Sequence, residues 1–112
     1  MATRGEISGM FEQAVLITLA CIGAEVPGGE ALAAIRERVG RHIHSGAMHS
    51  TLQRLLRKRL ITSRQDPPLA GYSGPPRRYY SITAEGLRAL QMARTELDEI
   101  WRGFEECTEA RQ

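Results

Sequence analysis

Hydrophobic residues recur with helical spacing in the first part of this chain. The first predicted helix, from about Gly9 to Ile22, is apolar on nearly every side, so more than one neighbour must cover it. A shorter helix, from about Glu30 to Val39, has a single apolar stripe, and Gly40 suits the left-handed residue that ends a helix. We expect residues 26–29, Val-Pro-Gly-Gly, to form the loop between the two helices.

A third helix and a hairpin are predicted next. The helix begins at Ser45 and runs to about Arg59, and its buried stripe comprises Met48, Leu52, Leu55, Leu56 and Leu60. Residues 60–64 and 77–82 contain β-branched and aromatic side chains, whereas residues 66–76 between them are rich in glycine and proline. This pattern indicates two antiparallel strands joined by a long tip.

The last predicted helix is capped by Thr83 and runs to about Ala110, with apolar residues at alternating spacings of three and four, as in a coiled coil. At 1.5 Å per residue it is about 40 Å long, which exceeds the size expected for the rest of the domain. We therefore expect it to project and to pair with a second copy of the chain, with help from the first helix. The predicted dimer interface comprises Leu90, Ala93, Leu97, Ile100, Trp101 and Phe104.

The composition is that of one globular unit. The chain has 112 residues, of which 42% are hydrophobic and 25% charged. No apolar run approaches the ~20 residues of a membrane-spanning helix, and Glu6 precedes any apolar stretch, unlike in a secretory signal. We expect a cytoplasmic protein without membrane contact, in which Cys21 and Cys107 are reduced thiols.

Charge is distributed unevenly along the chain. Residues 36–78 contain ten basic and two acidic residues, a net charge of +8, whereas residues 1–35 and 79–112 each carry a net charge of −3. A basic middle segment favours a phosphate polyanion as its partner, and the acidic flanks are expected to face elsewhere. A solvated basic surface without a partner is the alternative.

The order of elements predicts the fold class. Three helices, a β-hairpin and a long helix indicate a mainly α (α+β) winged helix-turn-helix, in which the third helix enters the DNA major groove and the hairpin reaches the flanking backbone or minor groove. Residues 1–82 would form the DNA-binding domain. Residues 83–112 would form a C-terminal dimerisation helix that makes one compact unit with the first helix. The expected partner is double-stranded DNA with a pseudo-palindromic operator.

The predicted DNA contacts lie on the polar side of the third helix and on the hairpin. Gln53 and Arg54 suit the edges of adenine and guanine, whereas Arg57 and Lys58 suit phosphates. The full predicted set is Ser45, His49, Ser50, Gln53, Arg54, Arg57, Lys58, Arg77 and Arg78.

Two segments resemble the PadR-type winged-helix transcriptional regulators of the short-chain group. Residues 78–86, RYYSITAEG, are similar to the family's hairpin-to-helix motif, and residues 45–55, SGAMHSTLQRL, to its recognition helix. The chain departs from the family pattern at His49, Ser50 and Arg59, where Tyr, Pro and Gly are usual. The resemblance implies a homodimer held by the first and last helices, repression at an operator with two half-sites, and, in some members, a flat aromatic or amphipathic ligand between the dimer helices.

The sequence also allows for ligand binding in addition to DNA binding, and for functions without DNA binding. Trp101 and the small Ala93 suit a small aromatic effector at the dimer interface, although packing alone also explains Trp101.

A protein-interaction module without DNA binding would need apolar anchors on the third helix. A metal-responsive sensor would use His42, His44 and His49, together with Cys21 or Cys107, although the His-x-His spacing is not a specific zinc signature. The sequence contains no catalytic motif, so we expect no enzyme activity, no cofactor and no bound metal.

Overall fold

The protein was analysed as a computed structural model that describes residues 9–40, 42–67, 70–71, 74 and 76–111. Within these residues, seven elements follow one another. They are α1 (Gly9–Ile22), β1 (Val26–Pro27), α2 (Gly28–Val39), α3 (Ser45–Arg57), β2 (Ile61–Gln65), β3 (Arg78–Ile82) and α4 (Ala84–Ala110). The first three helices, the hairpin of β2 and β3 and the long fourth helix confirm the predicted winged helix-turn-helix.

The ends of the helices follow local chemistry. Gly40 adopts a left-handed conformation (φ 74°) and its N–H donates to the carbonyl of Arg36, which ends α2 as expected. At the start of α4, the Thr83 hydroxyl accepts a 2.9 Å hydrogen bond from the Gly86 N–H, which confirms the predicted cap. The Ser8 cap expected for α1 lies outside the described residues.

The sheet contains a strand that the sequence did not indicate. Three antiparallel strands lie in the order β1-β3-β2, with Val26 opposite Tyr80 and Ile61 opposite Ile82. The prediction of a loop over residues 26–29 is therefore wrong, because residues 26 and 27 pair with β3 and residues 28 and 29 begin α2. Pro27 is tolerated because β1 is an edge strand, where a missing N–H breaks no ladder.

Helix α1 lies at the centre of the domain. It contacts α2, α3, α4 and β3, as expected for a helix that is apolar on nearly every side. Each of the other described helices and strands, apart from α4, contributes buried apolar residues to the core around α1. The buried apolar residues are Val15, Leu16, Leu19, Val26, Ala31, Ile35, Ile43, Met48, Leu52, Leu55, Leu60, Ile61 and Tyr80.

Helix α4 projects from this domain. The molecule measures 70 × 29 × 25 Å along its principal axes, because only the first turns of α4, through Ala89 and Leu90, pack against the core. Further along the helix, Ile100 and Phe104 are 68% and 56% exposed. Among the described residues, no helix combines the length and the apolar character needed to span a membrane.

The start of α4 is joined tightly to the end of α3. The Thr83 N–H donates to the Leu60 carbonyl at 3.0 Å, and the Thr83 hydroxyl donates to the Arg59 carbonyl at 2.9 Å. Arg59 itself adopts a left-handed conformation with φ of 62°. This turn connects α3 to β2 and, through Thr83, fixes the projecting helix relative to the domain.

Candidate nucleic-acid interface

The outer face of α3, formed by Ser45, His49, Ser50, Gln53, Arg54 and Arg57, is polar and cationic. The opposite side of the helix buries Met48, Thr51, Leu52 and Leu55, so the predicted stripe is confirmed. Of the six outer-face residues, Gln53 is half-buried and the others are exposed. No acidic residue occurs in α3, and the face is free of the apolar anchors that a protein-docking helix would need.

The wing, which is the hairpin of β2 and β3, adds a second cationic element. Arg77 and Arg78 are both exposed. Arg78 donates from Nη1 to the Ser63 hydroxyl at 3.1 Å and from Nη2 to the Gln65 side-chain oxygen at 3.0 Å, so its guanidinium is held along the strand pair. Much of the predicted tip, at residues 68–69, 72–73 and 75, lies outside the described residues.

Arg64 of β2 forms ion pairs with two carboxylates of the protein. Its Nε lies 2.9 and 3.0 Å from the two carboxylate oxygens of Glu25, and its Nη1 lies 2.9 Å from Asp66. Its guanidinium also stacks 4.5 Å from the ring centroid of Tyr79, whose hydroxyl donates to Asp66. The hydrogen bonds that Arg64 donates to Glu25 and Asp66 raise the pKa of Arg64 above its ordinary value, so this arginine stays charged and paired.

Two cations at the end of the third helix are held by one buried acid of α1. The side chain of Glu12 is 1% exposed, and its carboxylate accepts from Arg54 Nε at 3.1 Å and from Lys58 Nζ at 2.8 Å. Arg54 also donates from Nη2 to the Thr51 hydroxyl at 3.0 Å. Both cations were predicted to contact DNA, and the acid that holds them was not predicted. The available signal was a carboxylate on an otherwise apolar helix, since a buried charge needs partners.

The acidic flanks were expected to face away from the phosphates that the basic middle segment would bind. Two acids of the first flank, Glu12 and Glu25, pair with cations of the middle segment. Arg36 of α2 is likewise engaged internally, because its Nε and Nη2 donate to the Ile43 carbonyl at 2.9 and 2.6 Å. The positive charge presented outward is therefore concentrated on fewer residues than the sequence indicates.

Comparison with known proteins assigns the family. The model of the transcriptional regulator PadR-like family matches residues 19–92, which include α2, α3, the wing and the start of α4. The chain belongs to the PadR-like family. No curated protein matches it.

Solved structures of transcriptional regulators, two of them described as PadR family members, share the fold. A PadR family transcription regulator from Clostridium difficile is 26% identical, with alignment over 89% of this chain and 99% of that chain and a TM-score of 0.67. A transcriptional regulator from Streptococcus is 25% identical, with 87% and 90% covered and a TM-score of 0.63. A PadR family regulator from Eggerthella lenta, at 23% identity, 85% and 80% coverage and a TM-score of 0.66, shows the fold alone.

In this PadR-like chain the predicted dimer interface forms an apolar seam along α4, and most of this seam is exposed. Trp101 is 55% exposed and its ring meets that of Phe104 edge to face, with centroids 5.5 Å apart. Leu90 and Ala93 are half-buried, whereas Leu97 and Ile100 are exposed. A row of large apolar side chains open to water is typical of a protein–protein contact surface.

A groove runs between α1 and α4 of the PadR-like chain. It has a volume of about 470 Å³ and is lined by Gln13, Ile17, Leu90, Gln91, Arg94, Thr95 and Leu97. The two residues predicted to contact an effector, Ala93 and Trp101, are not part of this lining. Within a single chain, the structure therefore does not bring them together with the groove.

Within the described part of the chain, the histidines are not grouped with enough metal-binding side chains to form a metal site. The rings of His42 and His44 meet edge to face with centroids 5.0 Å apart, and His49 is exposed on α3. Among the residues that the structure describes, no group of three or more His, Cys, Asp or Glu side chains is placed to hold a metal ion. Cys21 and Cys107 are exposed free thiols. The metal-sensor alternative gains no support from this arrangement.

Proposed function

We propose that this PadR-like regulator is a homodimeric repressor that binds a pseudo-palindromic operator through α3 and the wing. The observation that carries the proposal is the outer face of α3, which is exposed, cationic and without any acid, beside a wing that presents Arg77 and Arg78. Duplex DNA requires such cations for affinity and hydrogen-bonding side chains for base readout.

Roles within the proposed DNA-binding surface follow from exposure and pairing. His49, Ser50 and Gln53 offer hydrogen-bonding groups to base edges, and Ser45 lies at the first turn of the helix. Arg57 lies toward the end of the same helix and is suited to phosphate. Arg77 and Arg78 would contact the flanking backbone. Arg54 and Lys58 belong to the same surface but are held by Glu12.

Pairing of two chains through α4 supports the two-half-site operator. Leu97, Ile100, Trp101 and Phe104 are too exposed and too apolar to be explained by packing within one chain. In the proposed dimer, residues 83–112 form the contact and residues 1–82 the DNA-binding unit, and a twofold axis places the two α3 helices about one helical turn of DNA apart.

Regulation by a small aromatic or amphipathic molecule is part of the proposal. The edge-to-face pair of Trp101 and Phe104 offers aromatic surface to a flat ligand at the dimer interface. Trp101 is the only tryptophan of the chain, so its fluorescence reports on this position alone. A planar aromatic probe that binds there would change this fluorescence and weaken DNA binding in the same concentration range.

A fluorescence anisotropy titration tests DNA binding. The probe is a duplex from the region upstream of the protein's own gene, with a shuffled duplex of the same length and composition as the control. We expect the upstream duplex to bind at least about a thousandfold more tightly than the shuffled one, and both affinities to fall steeply with salt. Equal affinity for the two duplexes, or no binding at low salt, would contradict the proposal.

A pair of wing variants sharpens this test. Arg77→Ala removes an exposed cation and should reduce the slope of log affinity against log salt by about one. Arg64→Ala removes a cation that already pairs with Glu25 and Asp66, so the slope should change much less. Equal slopes for the two variants would argue against a wing that contacts DNA through Arg77.

A further inference from the structure

We propose that Glu12 is a positioning residue that sets the DNA specificity of this regulator by withholding Arg54 and Lys58 from phosphates. The inference rests on the proposed DNA binding. It assigns the sequence-independent part of the affinity to Arg57 and the wing. It also gives α1 an indirect part in recognition, through the two cations that Glu12 holds.

The geometry of the cluster supports this role. The two carboxylate oxygens of Glu12 are divided between the cations, with Oε2 bound to Arg54 and Oε1 to Lys58. Arg54 has a second anchor, since its Nη2 donates to the Thr51 hydroxyl, and that hydroxyl donates to the Ala47 carbonyl. The guanidinium is therefore held at two of its nitrogens, which fixes its plane relative to the axis of α3.

Burial makes this pairing resistant to competition. With both cations in place the Glu12 side chain is only 1% exposed, so its carboxylate depends on Arg54 and Lys58 for compensation of its charge. A buried carboxylate without its partner is far more costly than one exposed phosphate contact is favourable. Lys58, itself only 21% exposed, is held on the protein side, and Arg54, at 44%, presents an oriented outer edge while its charge is partly balanced.

Arg57 provides the contrast within the same helix. It is exposed, and among the described residues no ion pair or hydrogen bond involves its side chain. A cation without a protein partner gives its full charge to any phosphate, whatever the base sequence. The cations of α3 thus divide into two roles. The exposed Arg57 supplies affinity for phosphates, whereas Arg54 and Lys58, which Glu12 holds, supply orientation.

Specificity follows from this division. Non-specific binding depends almost entirely on phosphate neutralisation, whereas specific binding adds base contacts. Each cation withheld from phosphates weakens binding to random DNA and raises the ratio between operator and random sequence. Releasing Arg54 and Lys58 should therefore increase affinity for every duplex and reduce discrimination.

Glu12→Gln is the direct test, measured by anisotropy on a shuffled 30-base-pair duplex and on the duplex from upstream of the protein's own gene. The amide keeps the size of the side chain and removes its charge. For the shuffled duplex we expect about tenfold tighter binding at low salt and a salt slope steeper by about one to two. The affinity ratio between the two duplexes should fall about tenfold.

Glu109→Gln is the matched control for net charge. Glu109 lies near the end of α4, on the side of the helix away from the apolar seam, and it is exposed. The substitution raises the net charge by the same amount as Glu12→Gln but far from α3. Its salt slope and affinity ratio should equal those of the wild-type protein. If the two variants behave alike, Glu12 acts only through overall charge and the proposal is overturned.

If circular dichroism shows that Glu12→Gln does not fold, a second pair of variants tests whether Glu12 withholds Arg54 from phosphates. Arg57→Gln should reduce the salt slope by about one, whereas Arg54→Gln should leave it nearly unchanged, because Arg54 is held by Glu12. Equal reductions would mean that Arg54 contacts phosphate, which overturns the proposal. Failure of the proposed function is a different result: the wild-type protein then binds neither duplex at low salt, and this inference falls with it.

Discussion

Gly86 of α4 packs directly against the backbone of Leu60. A β-carbon at position 86 would collide with the Leu60 carbonyl oxygen and would lie 2.7 Å from Cγ1 of Ile82. Backbone atoms of a buried turn do not move aside as the end of a flexible side chain does. Only glycine therefore allows the last helix to begin this close to the end of α3 and to the wing.

Gly86→Ala should destabilise the protein by about 1–3 kcal/mol, the usual cost of overpacking, and this loss outweighs the helix propensity that alanine adds. Gly103→Ala is the control in the same helix, because a β-carbon at position 103 meets nothing within 4 Å. That substitution should stabilise the protein by up to about 1 kcal/mol. Urea unfolding monitored by circular dichroism compares them, and equal effects would argue against a tight contact at Gly86.

The left-handed backbone of Arg59 gives a second prediction. A non-glycine residue in this conformation is strained by about 1–2 kcal/mol relative to glycine, and Arg59 has φ of 62°. Arg59→Gly should therefore give a protein about 1 kcal/mol more stable than Arg59→Ala, after allowing for the greater freedom of glycine in the unfolded chain. Both variants lose the same cation, so the difference between their free energies of unfolding reports on the backbone alone.

The exposed seam of α4 predicts the effect of a charge on self-association. Ile100→Glu places a carboxylate where two apolar surfaces are proposed to meet. Loss of Ile burial in both copies costs about 3 kcal/mol or more, which raises the dimer Kd at least about a hundredfold. Arg102→Glu introduces the same carboxylate on the opposite side of the helix and should leave the Kd within about threefold. Sedimentation velocity over a concentration series measures both, and a monomeric wild-type protein would contradict the proposed dimer.

The buried phenol of Tyr80 predicts a loss of stability in alkali. Burial raises the pKa of Tyr80 above its ordinary value of 10.0, although Arg78 acts in the opposite direction. The folded protein therefore keeps its proton at a pH where the unfolded chain releases it. The contribution of Tyr80 to stability is complete below about pH 10 and is lost as the pH rises through the pKa of the folded state.

Comparison with Tyr80→Phe isolates this effect, since phenylalanine does not ionise. The free energy of unfolding of the wild-type protein should fall relative to that of the variant between pH 9 and pH 11, by at most about 1.4 kcal/mol per pH unit. Urea unfolding at a series of pH values measures the difference. Parallel pH profiles for the two proteins would show that the Tyr80 phenol has an unshifted pKa.

Local signals in the sequence account for most of the fold. The left-handed Gly40, the Thr83 cap and the stripe that includes Leu52 and Leu55 each act over a few residues, and the corresponding helices lie where they were predicted. Strand β1 was missed because two residues, one of them a proline, carry no periodicity. They become a strand only because the Tyr80 region of β3 lies beside them.

The candidate site was less predictable because its pairings are distant in sequence. Glu12 and Arg54 are separated by 42 positions, and Glu25 and Arg64 by 39. The exposure of each cation on the polar side of α3 follows from helical periodicity, but its partner depends on how α1 crosses α3. Charge counted along the chain therefore overstated the number of cations available to a ligand.

The connection between the wing and α4 consists of Thr83 alone, since β3 ends at Ile82 and the helix begins at Ala84. Gly86 also packs against the backbone of Leu60, which holds the start of α4 close to the end of α3. In the proposed dimer, the distance between the two α3 helices would therefore be set by the protein and not by the DNA. An operator in which five base pairs are inserted between the half-sites would turn one of them to the opposite side of the duplex, and the second α3 could no longer reach its groove.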